Sequence, residues 1–138
     1  MIGVLHTDGD YAEWAFPADP TAVRGARAAV RAQLADWGLA ELSDVTALLV
    51  SELVTNSMRH ASGPIGVRLC RQGERRGGLL VEVSDPLPDP PRARTAAHDD
   101  EGGRGLQLVA GASRCWGTRP GDPRTGGKTV WFELALPG

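Results

Sequence analysis

The chain has 138 residues, a formal net charge of −2 at pH 7, and two cysteines. This length is enough for one domain with a hydrophobic core, and we treat residues 1–138 as that domain. The slightly acidic charge favours neither direct binding to nucleic acid nor attachment to an anionic membrane. Without a signal-like segment or an apolar run of membrane length, the sequence is typical of a cytoplasmic protein. Cys70 and Cys115 are far apart, and we expect them to be free thiols.

Aromatic residues near the amino terminus predict a short first strand: Tyr11, Trp14 and Phe16. Asp19 and Pro20 then indicate the start of a helix, with the aspartate as N-cap and the proline at the first helical position. We expect this helix to reach Trp37 and to end at Gly38. One side of it is basic, and is either a solvated face or a contact for an acidic partner protein: Arg24, Arg27 and Arg31.

Residues 45–61, VTALLVSELVTNSMRHA, predict the central helix of the chain. Glu52 and Asn56 are four residues apart and project from the same face of it. The pair has two interpretations: Glu52 is a structural residue that caps a neighbouring loop, or the two side chains line a cavity that holds a metal ion and a group to be deprotonated. Apolar residues occupy one face and much of the opposite side, so we expect the helix to be buried nearly all round: Val45, Leu48, Leu49 and Leu53, with Val50, Val54 and Met58.

Two strands follow, because apolar residues alternate with others in each: Ile65, Val67 and Leu69 in the first, and Leu79, Val81 and Val83 in the second. Asp85 continues the inward row of the second strand, so it either reaches a buried site or caps a turn. Residues 86–101 show no apolar period and predict a loop of unusual length, which is often functional. His98 lies in this loop, where a single histidine is more often exposed to solvent than a ligand or a catalyst.

The last part of the chain combines glycines with a short helix and a final strand. Gly102, Gly103 and Gly105 precede the helix, which carries Leu106. A glycine-rich turn of this kind exposes backbone N–H groups that suit phosphate, although many such turns bind no ligand. Alternation predicts two faces for the final strand, which carry Val130, Phe132 and Leu134 on one side and Thr129, Trp131 and Glu133 on the other.

The order of the predicted elements is strand, two helices, two strands, a long loop, a helix and two strands. Helices that are grouped on one side of a sheet bury their apolar faces in the simplest way. We therefore predict an α+β two-layer sandwich, in which helices cover one face of a mixed, mostly antiparallel sheet.

Four motifs occur in an order that is more specific than any one of them: ELVTNSMRHA at 52–61, VEVSD at 81–85, EGGRGLQLV at 101–109 and GGKTVWFEL at 126–134. Together they resemble the GHKL ATPase superfamily, whose Bergerat fold is shared by histidine kinases and gyrase-type enzymes. Within the superfamily, the chain is most similar to the small anti-sigma-factor serine kinases of bacterial stress and sporulation control. The resemblance extends over nearly the whole chain and implies the Bergerat fold, with binding of ATP and Mg²⁺.

The resemblance also implies a role for each residue that matches a motif. Asn56 matches the asparagine that holds Mg²⁺ between the ATP phosphates, and Glu52 matches the general base. Asp85 matches the carboxylate that accepts a hydrogen bond from the adenine amino group, and Thr129 matches the residue that supports this contact, usually through water. Gly103, Gly105 and Leu106 match the turn whose amides surround the phosphates. Arg104, within this turn, could reach the terminal phosphate.

The ATP lid of the superfamily corresponds to residues 86–104, and its start departs from the usual pattern. Where relatives have Asp-x-Gly-x-Gly, this chain has DPLPD at 85–89, so both glycines are lost. Proline fixes φ and has no N–H donor, so we expect a lid hinge that is stiffer or placed later. A carboxylate at Asp89 would be unfavourable near phosphates.

The resemblance implies two alternatives for the function. In the first, the protein is a Mg²⁺- and ATP-dependent serine/threonine kinase that phosphorylates an anti-anti-sigma partner of the STAS type and also sequesters a sigma factor. In the second, it is a regulatory module that binds nucleotide weakly or not at all and acts by partner sequestration. A detached histidine-kinase catalytic domain is less favoured, because it would need a helix pair with a phospho-acceptor histidine, and a non-catalytic scaffold would require four ordered motifs to coincide. A homodimer is a further expectation.

Overall fold

The computed structural model describes residues 3–60, 63–72, 77–86, 101–120 and 127–137. These residues form a layer of helices on one side of a six-stranded sheet, which confirms the predicted α+β two-layer sandwich. The elements in chain order are β1 (Gly3–Asp8), β2 (Tyr11–Phe16), α1 (Thr21–Asp36), a 3-10 turn (Ala40–Leu42), α2 (Ser43–His60), β3 (Ile65–Gln72), β4 (Gly78–Asp85), α3 (Glu101–Ala112), β5 (Cys115–Pro120) and β6 (Lys128–Ala135).

The strands lie in the order β1-β2-β3-β4-β6-β5, and every pairing between the described strands is antiparallel. The order of the predicted elements favours a mixed sheet, and the difference from the observed sheet has a topological reason. α3 provides the crossover that a parallel pair of strands requires, and β4 and β5 do run in the same direction. However, β6 lies between these two strands and pairs with both of them. The end of β4 and the start of β6 are therefore neighbours.

β1 is a strand that the sequence analysis does not predict. It forms a hairpin with β2, in which Asp8 pairs with Tyr11 across a turn made by Gly9 and Asp10. Glycine and aspartate in a turn between two extended segments are a hairpin signal, and this signal was present in the sequence. The first predicted strand is therefore the second strand of the sheet.

The ends of α1 lie within one residue of the prediction: the helix begins at Thr21, with Pro20 and not Asp19 at the N-cap position, and it ends at Asp36. The Asp19 carboxylate accepts a hydrogen bond from the Thr21 N–H at 2.8 Å. At the other end, Gly38 adopts a φ of 75°, and the Leu39 N–H donates to the Leu34 carbonyl at 2.7 Å. This is a Schellman ending, which needs a residue such as glycine in the left-handed region. Local sequence signals therefore determine where α1 begins and ends.

The core lies between the helix layer and one face of the sheet, which we call the inner face. Alternate strand residues point toward the helices and are fully buried: Ile65, Val67, Leu69, Leu79, Val81 and Phe132. α1 and α2 pack against each other and on the sheet, where they bury Ala22, Ala26, Val30 and Leu34 of α1 and Leu49, Val50, Leu53 and Val54 of α2. Burial of one large apolar side chain of this kind stabilises the fold by about 1.5–3 kcal/mol.

Leu48 corrects the prediction that α2 is buried nearly all round. Its side chain is 48% exposed, although its neighbour Leu49 is fully buried. The reason is geometric, because α2 packs against α1, the sheet and α3, and these contacts leave one side of the helix accessible. The accessible stripe begins at Leu48 and continues through the half-buried Glu52 and Asn56.

The opposite face of the sheet, the outer face, carries a cluster of charged side chains in the part of the chain that the structure describes. Arg68 lies between two carboxylates, with its Nε 2.8 Å from Oε1 of Glu82 and its Nη1 3.5 Å from Oε2 of Glu13. Arg119 brings a second guanidinium group to Glu82. These four side chains form the outer-face network, which links strands β2, β3, β4 and β5.

Candidate functional site

α2 presents a carboxylate and an amide on its accessible stripe. Glu52 and Asn56 are one helical turn apart, and both side chains are half-buried. The helix that carries them is held in place by fully or almost fully buried residues such as Leu49 and Leu53. A carboxylate oxygen and an amide oxygen on one face of a fixed helix are suited to accept a proton and to bind a hard cation.

Asp85 is the last residue of β4 and lies on the inner face, as the sequence predicts. Its side chain is 1% exposed. Val81 and Val83 precede it in the same row and are also buried. A carboxylate in such a place lowers stability unless it meets a cation or hydrogen-bond donors. A buried acid at the end of a core strand is therefore a candidate binding residue.

The first residues of β6 correct one predicted site residue. Lys128 is opposite Asp85 in the register of β4 and β6, so their side chains share the inner face, and the Lys128 Nζ lies 4.0 Å from the Asp85 Oδ2. Thr129 is opposite Ser84 and is buried on the outer face. The structure therefore brings Lys128, and not Thr129, next to the carboxylate. Alternation with the inward-facing Val130 was the sequence signal that could have identified Lys128.

Pro86, which follows the acid, is closely packed. A Cβ atom on Gly63 would lie 3.0 Å from the Pro86 Cγ, so the proline ring packs directly on the Gly63 backbone. Gly127 has a φ of 89°, and a Cβ there would overlap the Asp85 carbonyl. The backbone around Asp85 is therefore held from two sides. Residues 87–100, with most of the predicted lid and its histidine, lie outside the described residues.

The glycine-rich segment is part of α3 and not a turn that precedes it. α3 begins at Glu101, so Gly103, Arg104 and Gly105 lie in its first turns. This corrects the predicted helix start. In an α-helix the N–H groups of the first four residues have no acceptor within the helix, so the start of α3 still offers backbone donors. Leu106 is half-buried and packs against the core, which anchors this end of the helix.

Oxygen atoms are the ligands that the site offers to a metal ion. Mg²⁺ prefers oxygen, keeps several waters, and is commonly bound by one or two protein ligands together with substrate phosphates. The amide of Asn56 fits this role, with the Glu52 carboxylate one turn away. Among the described residues, no three His, Cys, Asp or Glu side chains come together to hold a metal. The side chains on α2 therefore fit an ion that is shared with a phosphate ligand.

The chain carries carboxylate and amide oxygens on one helix, backbone N–H donors at the start of a second helix, and a buried acid at a strand end, and each of these groups can serve in a nucleotide-binding domain. The chain matches the family described as the histidine kinase-like ATPase domain over residues 16–133. The match covers most of the chain, and the protein belongs to this family, which is part of the GHKL superfamily. The resemblance found in the sequence is thereby confirmed at the level of the superfamily, for which ATP is the expected nucleotide.

A similar solved structure is the histidine kinase domain of the blue-light activated histidine kinase EL346 from Erythrobacter litoralis. The chain is 26% identical to it, with a TM-score of 0.47. The similar region covers 70% of this chain and 46% of that one, so the chain spans less than half the length of this neighbour. No curated protein matches the chain in sequence. Among the helices that the structure describes, none is both long and apolar enough to cross a bilayer.

Proposed function

We propose that the protein is a serine/threonine kinase of the anti-sigma-factor type, which uses Mg²⁺ and ATP to phosphorylate an anti-anti-sigma partner of the STAS type. The observation that carries the proposal is the pair on α2, because Glu52 and Asn56 lie one turn apart on an accessible stripe of a helix that is otherwise packed. Asp85, buried at the end of β4, adds an acceptor for a nucleotide base. A metal ligand alone would suffice for binding, whereas a carboxylate beside it supplies a proton acceptor for transfer.

Each of these residues has a defined task in the proposed reaction. Asn56 would hold the metal ion through its amide oxygen, and the ion, when bound, would supply charge neutralisation at the phosphates. Asp85 accepts a hydrogen bond from the adenine amino group. The N–H groups at the start of α3, with Arg104 beside them, bind phosphate oxygens. Glu52 accepts the proton of the attacking hydroxyl group, whose oxygen bonds to the terminal phosphorus while the bond from that phosphorus to the ADP oxygen breaks.

The proposed biological role is the control of a sigma factor, which the protein sequesters in the cytoplasm as a homodimer. Exposed basic residues on α1 support a protein partner with an acidic surface. Arg24 and Arg27 are exposed, while Arg31 is paired with Asp44 of α2 at 2.7 Å. The basic side of α1 is thus available to a partner at its first two arginines.

Calorimetric titration with ATP, in the presence and absence of Mg²⁺, tests the nucleotide part of the proposal. We expect binding only with Mg²⁺, and we expect Asn56→Ala to abolish the metal-dependent part because the metal loses its protein ligand. Gln33→Ala, which removes a half-buried amide from α1, is the matched control and should bind like the wild type. If the wild-type protein produced no heat of binding under either condition, the kinase proposal would be removed.

Labelled ATP, mixed with candidate STAS proteins of the same organism, tests phosphotransfer. Glu52→Gln keeps the size of the side chain but removes the proton acceptor, so we expect ATP binding to persist and transfer of label to the partner to be lost. Glu41→Gln changes an exposed carboxylate just before α2 and should leave transfer unchanged. Transfer that survives Glu52→Gln would show that Glu52 is not the general base.

The packing of Pro86 favours a second candidate, a nucleotide-binding regulatory module with weak or no kinase activity that acts by partner sequestration. The proline ring lies directly against Gly63, and proline has no N–H to offer to a phosphate. This candidate predicts that a stable complex forms with the partner while no label is transferred. Transfer of label by the wild-type protein would exclude it.

A further inference from the structure

Lys128 is the only lysine in the chain, and it lies beside the acid that is proposed to bind adenine. Its Nζ is 4.0 Å from the Asp85 Oδ2, and its side chain is 27% exposed, whereas the Asp85 side chain is 1% exposed. The ammonium group is therefore the more accessible member of the pair. A ligand that contacts the Asp85 carboxylate on the inner face comes within reach of this ammonium group.

Arg71, another cation on the inner face, illustrates a purely structural role. It lies at the opposite end of the sheet and stacks over the Trp37 ring, 5.1 Å from the ring centroid. It donates hydrogen bonds to the Trp37 carbonyl at 3.1 Å, the Gly9 carbonyl at 2.8 Å and the Asp10 carboxylate at 3.0 Å. These contacts tie one end of β3 to the β1–β2 turn and to the end of α1. Lys128 lies instead at the end of the sheet that carries Asp85.

The two charged groups fit one edge of a flat base. A carboxylate only accepts hydrogen bonds, and an ammonium group only donates them. The 4.0 Å between Lys128 Nζ and Asp85 Oδ2 is longer than the roughly 2.7–2.9 Å of a charge-assisted hydrogen bond. The separation therefore suits a ligand edge that carries a donor and an acceptor side by side. Adenine has such an edge, because its exocyclic amine is adjacent to the ring nitrogen N1.

We infer that Lys128 recognises the base, by donating a hydrogen bond to N1 of adenine while Asp85 accepts one from the exocyclic amine. The inference rests on the proposed binding of ATP. It assigns to Lys128 the supporting contact that the sequence analysis assigned to Thr129, whose side chain lies on the outer face. The protein then reads two adjacent positions of the base and not the amine alone.

Adenine nucleotides that differ in one ring atom test this inference. In 1-deaza-ADP a C–H group replaces N1, so the acceptor is lost while the amine remains. We expect the wild-type protein to bind ADP about tenfold or more tightly than 1-deaza-ADP, as for a hydrogen bond to a charged group. Lys128→Met should lower this ratio to about twofold or less, because the donor is gone. Lys128→Arg keeps a hydrogen-bond donor, so its preference for ADP over 1-deaza-ADP should lie between those of the wild type and Lys128→Met.

Two controls separate loss of this contact from general damage. In 7-deaza-ADP the altered atom lies on the other side of the exocyclic amine from N1, so its affinity relative to ADP should be the same in the wild type and in Lys128→Met. Asp36→Asn removes an exposed charge from the end of α1, far along the chain from β6, and should keep the wild-type ratio between ADP and 1-deaza-ADP.

The possible failures are distinguishable. If the wild-type protein binds neither ATP nor ADP, nucleotide binding itself is contradicted. If it binds ADP and 1-deaza-ADP equally well, or if Lys128→Met retains the full ratio, the role of Lys128 is overturned while nucleotide binding stands. Should Lys128→Met fail to show a cooperative thermal transition, Lys128→Ala replaces it, and the ratio measured for the wild type is by itself sufficient to refute the inference.

Discussion

The two faces of the sheet use charged residues in different ways. On the outer face, Glu82 lies between Arg68 and Arg119, and Arg68 also contacts Glu13, so that opposite charges alternate across the strands. On the inner face, the middle of strands β2, β3, β4 and β6 is apolar, and Asp85 stands at the end of a buried row. The ion pairs of the outer face link the strands on a side of the sheet that no described helix covers. The inner-face arrangement places an acid where packing alone would favour an apolar side chain.

The difference has an energetic basis. The ion pairs on the outer face keep part of their hydration, because the side chains of Arg68, Glu13 and Arg119 remain partly exposed, so each pair adds only a modest amount to stability, although a connected network adds more than isolated pairs. A charge on the inner face loses most of its hydration and must regain that free energy from specific partners. An acid that remains on the inner face is therefore expected to serve binding, and an acid on the outer face is expected to serve stability. Each prediction that follows tests this contrast.

The largest difference in the free energy of unfolding is expected between substitutions of two adjacent aromatic residues of β6. Phe132 is fully buried on the inner face, and Phe132→Ala should lower the free energy of unfolding by about 3–5 kcal/mol because it leaves a cavity. Trp131 is half-buried on the outer face, and Trp131→Ala should lower it by less. Urea denaturation of both variants measures the two losses. Equal losses would show that the outer face is packed as tightly as the core.

Neutralising each of two acids of β4 should change a different property of the protein: ATP affinity in one case and stability in the other. Asp85→Asn should weaken ATP binding by about tenfold or more, since a hydrogen bond to a charged acceptor is lost. Glu82→Gln should leave ATP affinity unchanged and lower the free energy of unfolding by about 1–2 kcal/mol, because two guanidinium groups lose their shared carboxylate. Calorimetry and urea denaturation are applied to both variants. A drop in ATP affinity for Glu82→Gln would show that an acid on the outer face also contributes to binding, which contradicts the proposed difference between the two faces.

The accessible stripe of α2 makes a smaller prediction about stability. Leu48→Ala should change the free energy of unfolding by no more than about 0.5 kcal/mol, because that side chain is 48% exposed. Leu49→Ala, one position further and fully buried, is the matched control and should lower it by about 2–5 kcal/mol. A large loss for Leu48→Ala would restore the sequence interpretation of a helix that is buried nearly all round.

The smallest expected effect is a change in the reactivity of the Cys115 thiol, at the edge of the outer face. Desolvation and a hydrogen bond from the Cys115 thiol to Glu133, at 3.4 Å, raise the pKa of Cys115 above its usual value. Glu133→Gln removes the negative charge, so the pKa should fall and more thiolate should be present at a given pH. Alkylation by iodoacetamide, followed in a Cys70→Ser background, should become severalfold faster. An unchanged rate would show that Glu133 has no influence on the thiol.

Much of the architecture could be predicted because its signals are local. Asp19 and Gly38 determine the ends of α1 through hydrogen bonds to residues within a few positions of each. Alternation identified β3, β4 and β6, and placed Asp85 on the buried side of β4. The spacing of Glu52 and Asn56 placed them on one face of α2, because a helix has a regular repeat.

Site residues outside these regular patterns were harder to predict. Lys128 and Thr129 are adjacent in sequence, and only the alignment of β6 with β4 shows that Lys128 shares a face with Asp85. The motif suggested Thr129 because it is a threonine near the expected place, but one position along a strand reverses the direction of a side chain. The start of α3 was likewise predicted too late, since glycines in a sequence favour a turn over a helix.

The sequence by itself determined most of the elements, the inward rows and the superfamily, and it placed the ends of α1 to within a residue. It also gave Glu52, Asn56 and Asp85 as candidate site residues. Only the tertiary structure decided that β6 lies between β4 and β5, that Leu48 is exposed, and that Lys128 is beside Asp85. The physical reason is the range of the interactions. Helix periodicity and capping depend on neighbours in the chain, whereas strand order, register and the accessible side of a helix depend on contacts between residues far apart in sequence.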